Sequence, residues 1–67
     1  MIYFITFIRE DEFEWCVFNT HNKEYAYKTF EDLFSPPEYD MELRVTNEPI
    51  ETFRNYDVLM SKKGARL

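Results

Sequence analysis

A strict alternation of apolar and polar residues over positions 38–46 constrains the fold of this chain more than any other feature. Successive side chains of an extended strand point to opposite faces, so a period of two predicts a strand with one buried and one solvated face. No helical spacing fits these nine positions as well. The face expected to be buried consists of Tyr39, Met41, Leu43 and Val45.

The first 18 residues predict an antiparallel hairpin. Residues 2–8 are all β-branched or aromatic and are apolar on both faces, which is typical of a central strand that is covered on each side. A charged turn over 9–12 separates this segment from a second predicted strand over 13–18. On the second strand, one face is expected to carry Phe13, Trp15 and Val17, and the other Glu14, Cys16 and Phe18.

The middle of the chain predicts a third strand followed by a short helix. A polar turn over 19–24 precedes the predicted strand at 25–28. Thr29 is expected to cap a helix that begins at Phe30 and ends before Pro36, because proline lacks the N–H group that a helix interior needs. The apolar side chains expected to dock this helix on the sheet are Phe30, Leu33 and Phe34.

Two alternatives remain for residues 49–62. The first is a helical turn around Ile50 and Phe53 followed by a strand over 56–61, and the second is a single helix. The basic end, residues 62–67, is predicted to be a mobile tail. We therefore expect one compact α+β domain over 1–67, with a mainly antiparallel sheet of four to five strands and one or two short helices.

Aromatic residues are expected both to build the core and to mark a binding surface. A chain of 67 residues has a marginal core, and its seven Phe, five Tyr and one Trp compensate in part. Trp and Tyr that remain partly exposed are favoured at protein interfaces. Tyr25 and Tyr27 are the candidates, because they would share one face of the predicted third strand. An open strand edge there leaves a homodimer possible.

The charge distribution favours a protein partner with a basic surface. The net charge is 8 − 13 = −5. Residues 10–51 contain twelve acidic and three basic residues, which gives this segment a net charge of −9. Direct nucleic-acid binding needs clustered Lys and Arg, so it is not expected. On the predicted strands the acids form rows that either bind the partner or only keep the chain soluble. These candidate partner-binding acids are Glu10, Asp11, Glu12, Glu14, Glu38, Asp40 and Glu42.

Few residues are suited to catalysis or to metal binding. Cys16 and His21 are the only nucleophile–base pair of that kind, and they lie on different predicted elements, with Cys16 expected to be a small buried hydrophobe. One Cys and one His cannot complete a zinc site. A phosphate-binding loop needs several glycines, and the sequence contains only Gly64. We therefore expect no catalytic residue, no metal and no cofactor.

The compartment is expected to be the cytoplasm. A single cysteine cannot form an internal disulfide, which is typical of a reducing environment. The apolar run at 2–8 follows no basic residue and precedes no small-residue cleavage site, so it does not predict a signal peptide. It is also too short to span a bilayer, and no membrane contact is expected.

In size, charge and lack of catalytic residues, the chain is similar to small phage and mobile-element proteins that block a host enzyme or defence complex. This similarity of composition implies a non-catalytic inhibitor that covers a basic, nucleic-acid-binding surface as a nucleic-acid mimic, in the host cytoplasm. The alternative is a small structural or regulatory subunit that homodimerises or completes an assembly. Nucleic-acid binding through aromatic stacking and the basic tail is a third possibility, which the net charge disfavours.

Overall fold

The computed structural model describes residues 1–47, 49 and 55–64. These residues form four strands and one helix: β1 (Ile2–Arg9), β2 (Glu14–Thr20), α1 (Lys23–Asp32), β3 (Tyr39–Thr46) and β4 (Asp57–Lys62). The strands form one antiparallel sheet in the order β2-β1-β3-β4. The predicted α+β class is confirmed.

The first strand is central, as its apolar character on both faces predicted. β1 pairs with β2 on one side and with β3 on the other. Phe4 and Ile5 point to opposite faces of the sheet, and both are fully buried. Helix α1 covers the Ile5 face, where Ala26 and Phe30 of the helix join Phe7, Met41 and Leu43 in the core, so this face carries the hydrophobic core.

The hairpin between β1 and β2 closes through a three-residue turn. The N–H of Arg9 donates to the carbonyl of Phe13, and the N–H of Glu12 donates back to the carbonyl of Arg9. Glu12 closes the turn with φ of 68°, in the left-handed region that glycine adopts at lower cost. The turn is thus a common hairpin type with a glutamate in the glycine position.

A bulge in β2 corrects the predicted faces of this strand. Ile5 pairs with Phe18 and Thr6 with Cys16, so Val17 is the extra residue. The bulge turns Phe18 to the helix-covered face, where it packs against the core. An unbroken period of two predicted Phe18 on the other face of the sheet from Trp15. Because most residues of β2 are exposed, the sequence shows no alternation of buried and exposed positions that would reveal the bulge.

The predicted strand at 25–28 and the helix start at Phe30 are both wrong, because α1 spans Lys23–Asp32. Asn22 caps the helix, and its side-chain oxygen accepts the N–H of Tyr25 at 2.9 Å. Ala26 and Phe30, one turn apart, bury the inner face of the helix. Thr29 therefore lies inside the helix rather than at its start.

The connection from α1 to β3 also differs from the prediction at one residue. Leu33 packs against the core as expected, but Phe34 does not dock on the sheet and is 90% exposed. The helix has already ended at Leu33, whose extended backbone turns the next side chain away from the helix face. The two prolines that follow are compatible with this ending.

Strand β3 confirms the alternation at 38–46 for its apolar residues and corrects it for the polar ones. Tyr39, Met41, Leu43 and Val45 are all buried. However, Arg44 and Thr46 on the other face are each only 3% exposed. The second half of β3 is therefore buried on both faces, and hydropathy could not predict this for an arginine.

The end of the described chain is a strand and not a single helix. β4 pairs with β3, with Leu59 as an extra residue, and the predicted helical turn around Ile50 and Phe53 lies outside the described residues. Lys62, assigned from the sequence to a mobile tail, is the last residue of β4. Its ammonium donates to the carbonyl of Phe30 at 2.7 Å and satisfies the end of the helix.

Gly64 also makes a defined backbone contact. Its N–H donates to the Asp40 carboxylate at 2.9 Å. A Cβ atom at this position would collide with the carbonyl oxygens of Pro37 and Tyr39, so the sole glycine lies where backbone segments approach closely. Lys62 and Gly64 thus make defined contacts, and residues 65–67 lie outside the described residues. The mobility of residues 62–67 stays a prediction.

We expect Glu12→Gly to raise the free energy of unfolding by up to about 1 kcal/mol. Relief of the left-handed backbone conformation outweighs the added flexibility of glycine in the unfolded chain. Urea denaturation followed by circular dichroism measures the change. Glu10→Gly in the same turn is the control and is expected to be neutral or destabilising. Equal stabilisation by both substitutions would contradict this explanation.

Candidate protein-binding surface

The helix leaves one corner of the sheet uncovered. It begins beside the end of β2, where Tyr25 contacts the Phe18 ring at 5.5 Å, and it ends beside Lys62 at the end of β4. This diagonal path bypasses the first half of β2, which lies on the same face. The rings left there are Phe13 and Trp15, which are 47% and 42% exposed.

These two rings rest on a layer of buried aromatic side chains. The Trp15 ring lies 5.2 Å from the Tyr39 ring and 6.0 Å from the Phe7 ring, measured between centroids. Phe13 meets Trp15 edge to face at 5.7 Å. Such edge-to-face pairs are favourable beyond the area that they bury, so the exposed rings are held in place. We call Phe7, Phe13, Trp15 and Tyr39 the aromatic corner.

Arg9 lies against this corner and is neutralised within its own turn. Its guanidinium makes two hydrogen bonds of 2.8 Å to the Asp11 carboxylate and lies 4.9 Å from the centre of the Phe13 ring. The hydrogen bond from Arg9 lowers the pKa of Asp11, and the bonds to Asp11 and then Tyr39 raise the pKa of Arg9. Asp11, predicted to bind a partner, is therefore already paired.

Three of the predicted acids remain exposed beside the corner. Glu10 and Glu12 lie in the hairpin turn, and Glu38 immediately precedes Tyr39. Within the described ranges 1–47 and 55–64, none of these three carboxylates forms an ion pair. Because Asp11 balances Arg9, the rim of the aromatic corner carries an excess of negative charge.

Two other predicted acids are engaged by a buried arginine on the opposite face. Arg44 donates to Glu14 at 2.8 Å and to Glu42 at 2.7 Å, and its guanidinium lies 4.2 Å from the centre of the Tyr56 ring. Glu14 belongs to β2 and Arg44 to β3, so this bridge crosses the central strand. It passes over Thr6, which is buried and whose hydroxyl has no partner within the described residues.

The surroundings of Arg44 favour its charged form. Burial lowers the pKa of Arg44, but the hydrogen bonds with Glu14 and Glu42 outweigh burial and raise it. The two glutamates share one cation, so Arg44 compensates one of their two negative charges. Glu14 and Glu42 are therefore parts of an internal ion-pair network, and their role in partner binding stays a prediction.

The predicted ladder of Glu38, Asp40 and Glu42 is likewise not a free row. Asp40 accepts the N–H of Gly64 and lies 3.6 Å from the ammonium of Lys63. Its side chain is only 18% exposed. Glu38 precedes the first residue of β3 and belongs to the turn. Of the three, Glu38 alone is left without an ion pair in the described part of the chain.

Tyr25 and Tyr27 do not share a face, because both lie on α1. Positions two apart on a helix point in nearly opposite directions. Tyr25 is 56% exposed against Phe18, and Tyr27 is partly buried against the core. Their assignment to an open strand edge is corrected. The pair of rings that does share an exposed face is Phe13 and Trp15.

Sequence reasoning placed Phe13 and Trp15 on one face but did not single them out as binding residues. Their spacing of two next to an acidic turn was a visible signal. What the sequence could not show is the diagonal path of α1, which depends on contacts at both ends of the helix. Without that path, Trp15 is as well suited to the core as to the surface.

The remaining candidates for chemistry have separate structural partners. Cys16 is exposed rather than buried as predicted, and its thiol donates to the Phe18 carbonyl at 3.4 Å. The His21 Nδ1 atom lies 3.0 Å from the carbonyl oxygen of Met1. Among the described residues, no three His, Cys, Asp or Glu side chains are grouped to hold a metal ion.

A cleft of about 710 Å³ lies at the other end of the sheet, where Met1, Tyr56 and Asp57 line it. The Thr46 hydroxyl in this cleft already donates to the Asn55 carbonyl at 2.8 Å. The described lining holds no nucleophile–base pair and no cation cluster. The cleft therefore offers less specific chemistry than the aromatic corner.

Comparison with known proteins yields no match to a family model, a curated protein or a solved structure. In the described part of the chain, no helix has the length and apolar character needed to cross a membrane.

We expect Arg44→Met to lower the free energy of unfolding by about 1–3 kcal/mol, because it removes the shared partner of two partly buried carboxylates. Arg44→Lys is also expected to destabilise, since an ammonium cannot bond both glutamates in one plane and stack on Tyr56. Urea denaturation measures both. Lys63→Met, at a cation 88% exposed, is the control and should change stability little. An unchanged Arg44→Met variant would show that burying this charge offsets the bonds it makes.

The pKa of Asp11 is expected to lie below its ordinary value of 3.8 and to return toward it in Arg9→Gln. A carboxyl whose pKa is lower in the folded chain contributes stability above the pKa of the unfolded chain. This contribution is lost as pH falls through the folded value. Titration of the Asp11 side-chain carbon by NMR measures both variants. Lys28→Gln, on the helix, is the control. An identical Asp11 titration in wild type and Arg9→Gln would refute the pairing.

Proposed function

We propose that this protein is a non-catalytic binding module that docks on a basic surface of a partner protein through the aromatic corner. The observation that carries the proposal is the partial exposure of Phe13 and Trp15 on a layer of buried rings. Three carboxylates that form no ion pair with the described residues accompany these rings. Aromatic anchors held rigidly in this way and surrounded by charged residues are typical of interface hot spots. The acids would attract and orient a basic partner.

The corner favours a heterologous partner over a second copy of the chain. Two copies that met at this corner would bring like charges together, at a net charge of −5 each. Both edge strands also carry a bulge, at Val17 in β2 and at Leu59 in β4, and bulges discourage pairing between sheet edges. The alternative, a structural subunit that homodimerises, receives less support.

A basic surface that binds this corner would often be one that binds nucleic acid. The module would then act as an inhibitor that blocks the surface of a host enzyme or defence complex by competing with phosphates. We propose the cytoplasm as its compartment, since the free and exposed Cys16 suits reducing conditions.

Affinity capture from cells that naturally encode the chain tests this function. We expect wild type to retain a basic protein at about 0.1 M salt and to lose most of it at about 0.5 M, because salt screens the charges. Trp15→Ser and the double variant Glu10→Gln/Glu12→Gln should not retain that protein. Mass spectrometry identifies it, and added nucleic acid should release it.

The matched control is Glu31→Gln/Asp32→Asn, which removes the same charge from the exposed end of α1. This variant should capture the partner as wild type does. If all variants retain the same proteins, the aromatic corner is not the binding surface. If wild type retains only itself at both salt concentrations, the structural-subunit alternative replaces the proposal.

A further inference from the structure

We propose that the aromatic corner receives an arginine side chain from a basic segment of the partner, with its guanidinium against the Trp15 ring and bonded to acids of the rim. This inference rests on the proposed function and specifies the chemistry of its partner. Trp15 is the largest exposed ring of the corner, and tryptophan gives the strongest cation–π attraction of the aromatic side chains.

The chain holds two of its own arginines in the same kind of arrangement. Arg9 lies over the Phe13 ring while Asp11 accepts two hydrogen bonds from its guanidinium. Arg44 lies over the Tyr56 ring while two glutamates accept its bonds. In both places a flat cation lies on an aromatic ring and its N–H groups point to carboxylates. Trp15 offers a third ring without an arginine of this chain among the described residues.

The candidate carboxylates for a third such site are three acids that lie close to Phe13 and Tyr39 along the chain. Glu10, Glu12 and Glu38 are exposed and form no ion pair within residues 1–47 and 55–64. Asp11 is already occupied by Arg9. The corner therefore has an unbalanced negative charge beside an exposed ring, and this combination fits an incoming cation.

Arginine fits this surface better than lysine does. A guanidinium is planar, so it stacks on an indole ring and still donates in its plane to carboxylates, whereas an ammonium is a compact and strongly hydrated charge. Phosphate groups of a nucleic acid would be repelled by the same acids. The basic partner segment is thus expected to bind through arginine in particular.

Two peptides of equal charge test the inference, one of four Gly-Arg repeats and one of four Gly-Lys repeats. Trp15 is the only tryptophan of the chain, so its fluorescence reports contact at the corner directly. We expect the arginine peptide to bind at least threefold more tightly than the lysine peptide, through stacking on the ring. A Gly-Glu repeat peptide should not change the fluorescence.

Variants separate specific stacking from general attraction to an acidic protein. Calorimetry replaces fluorescence for Trp15→Ser, in which the preference for arginine should disappear, and for Trp15→Phe, in which it should partly return. Glu10→Gln/Glu12→Gln should lower the affinity for the arginine peptide several times more than Glu31→Gln/Asp32→Asn does. Circular dichroism tests whether each variant is folded. If Trp15→Ser is unfolded, Trp15→Phe alone tests the role of the indole ring.

The inference is overturned if both peptides bind equally to wild type, including if neither binds. It is also overturned if the arginine preference persists without the Trp15 ring or if both acidic pairs have the same effect. If capture of the partner depends on Trp15 but the peptides are not distinguished, the proposed function stands and the arginine site falls. If neither the capture of the partner nor the binding of the peptides depends on Trp15, the proposed function and the arginine site are both wrong.

Discussion

Among the described residues, one short helix covers a sheet that is longer and wider than the helix itself. The ten residues of α1 span about 15 Å at about 1.5 Å per residue, whereas an eight-residue strand spans about 27 Å at about 3.4 Å per residue. The helix therefore buries only a diagonal stripe. Its position depends on the Asn22 cap at one end and on Lys62 at the other. The core, the exposed corner and the bonds of β4 all follow from this crossing.

The face opposite the helix is built on different chemistry. Phe4 is fully buried there and packs edge to face on Tyr56, and beside it a buried arginine rather than another apolar side chain spans the sheet. The Arg44 side chain covers the strand surface with its apolar stem and meets glutamates from two strands with its head. Within the described part of the chain, charge pairing and ring stacking thus cover this second face.

The same logic explains which acids are available for binding. Most carboxylates of the notable acidic rows serve the fold, since they hold Arg9, Arg44 or the backbone of Gly64. In the described ranges, the acids of these rows that form no ion pair are Glu10, Glu12 and Glu38. The surface with partner-binding character is therefore smaller than the net charge alone indicates, and it couples charge to rigid aromatic anchors.

Local patterns were sufficient wherever the neighbours of a residue along the chain determine its surroundings. The central character of β1, the hairpin, and the alternation that buries Tyr39, Met41 and Leu43 all follow from period and composition. The strand–helix choice at 25–28 failed because Tyr-Ala-Tyr is compatible with either state, and the Asn22 cap decided it. The sequence could not show the bulge at Val17, which depends on pairing with β1.

What the sequence determined by itself is the α+β class, the central strand and an acidic surface rich in aromatic residues. Only the tertiary structure decided which acids are free and which rings are exposed. Arg44 reaches Glu14 from 30 positions away, and Lys62 reaches Phe30 from 32. Such contacts depend on how the elements cross in space, and no local pattern of residues encodes that crossing.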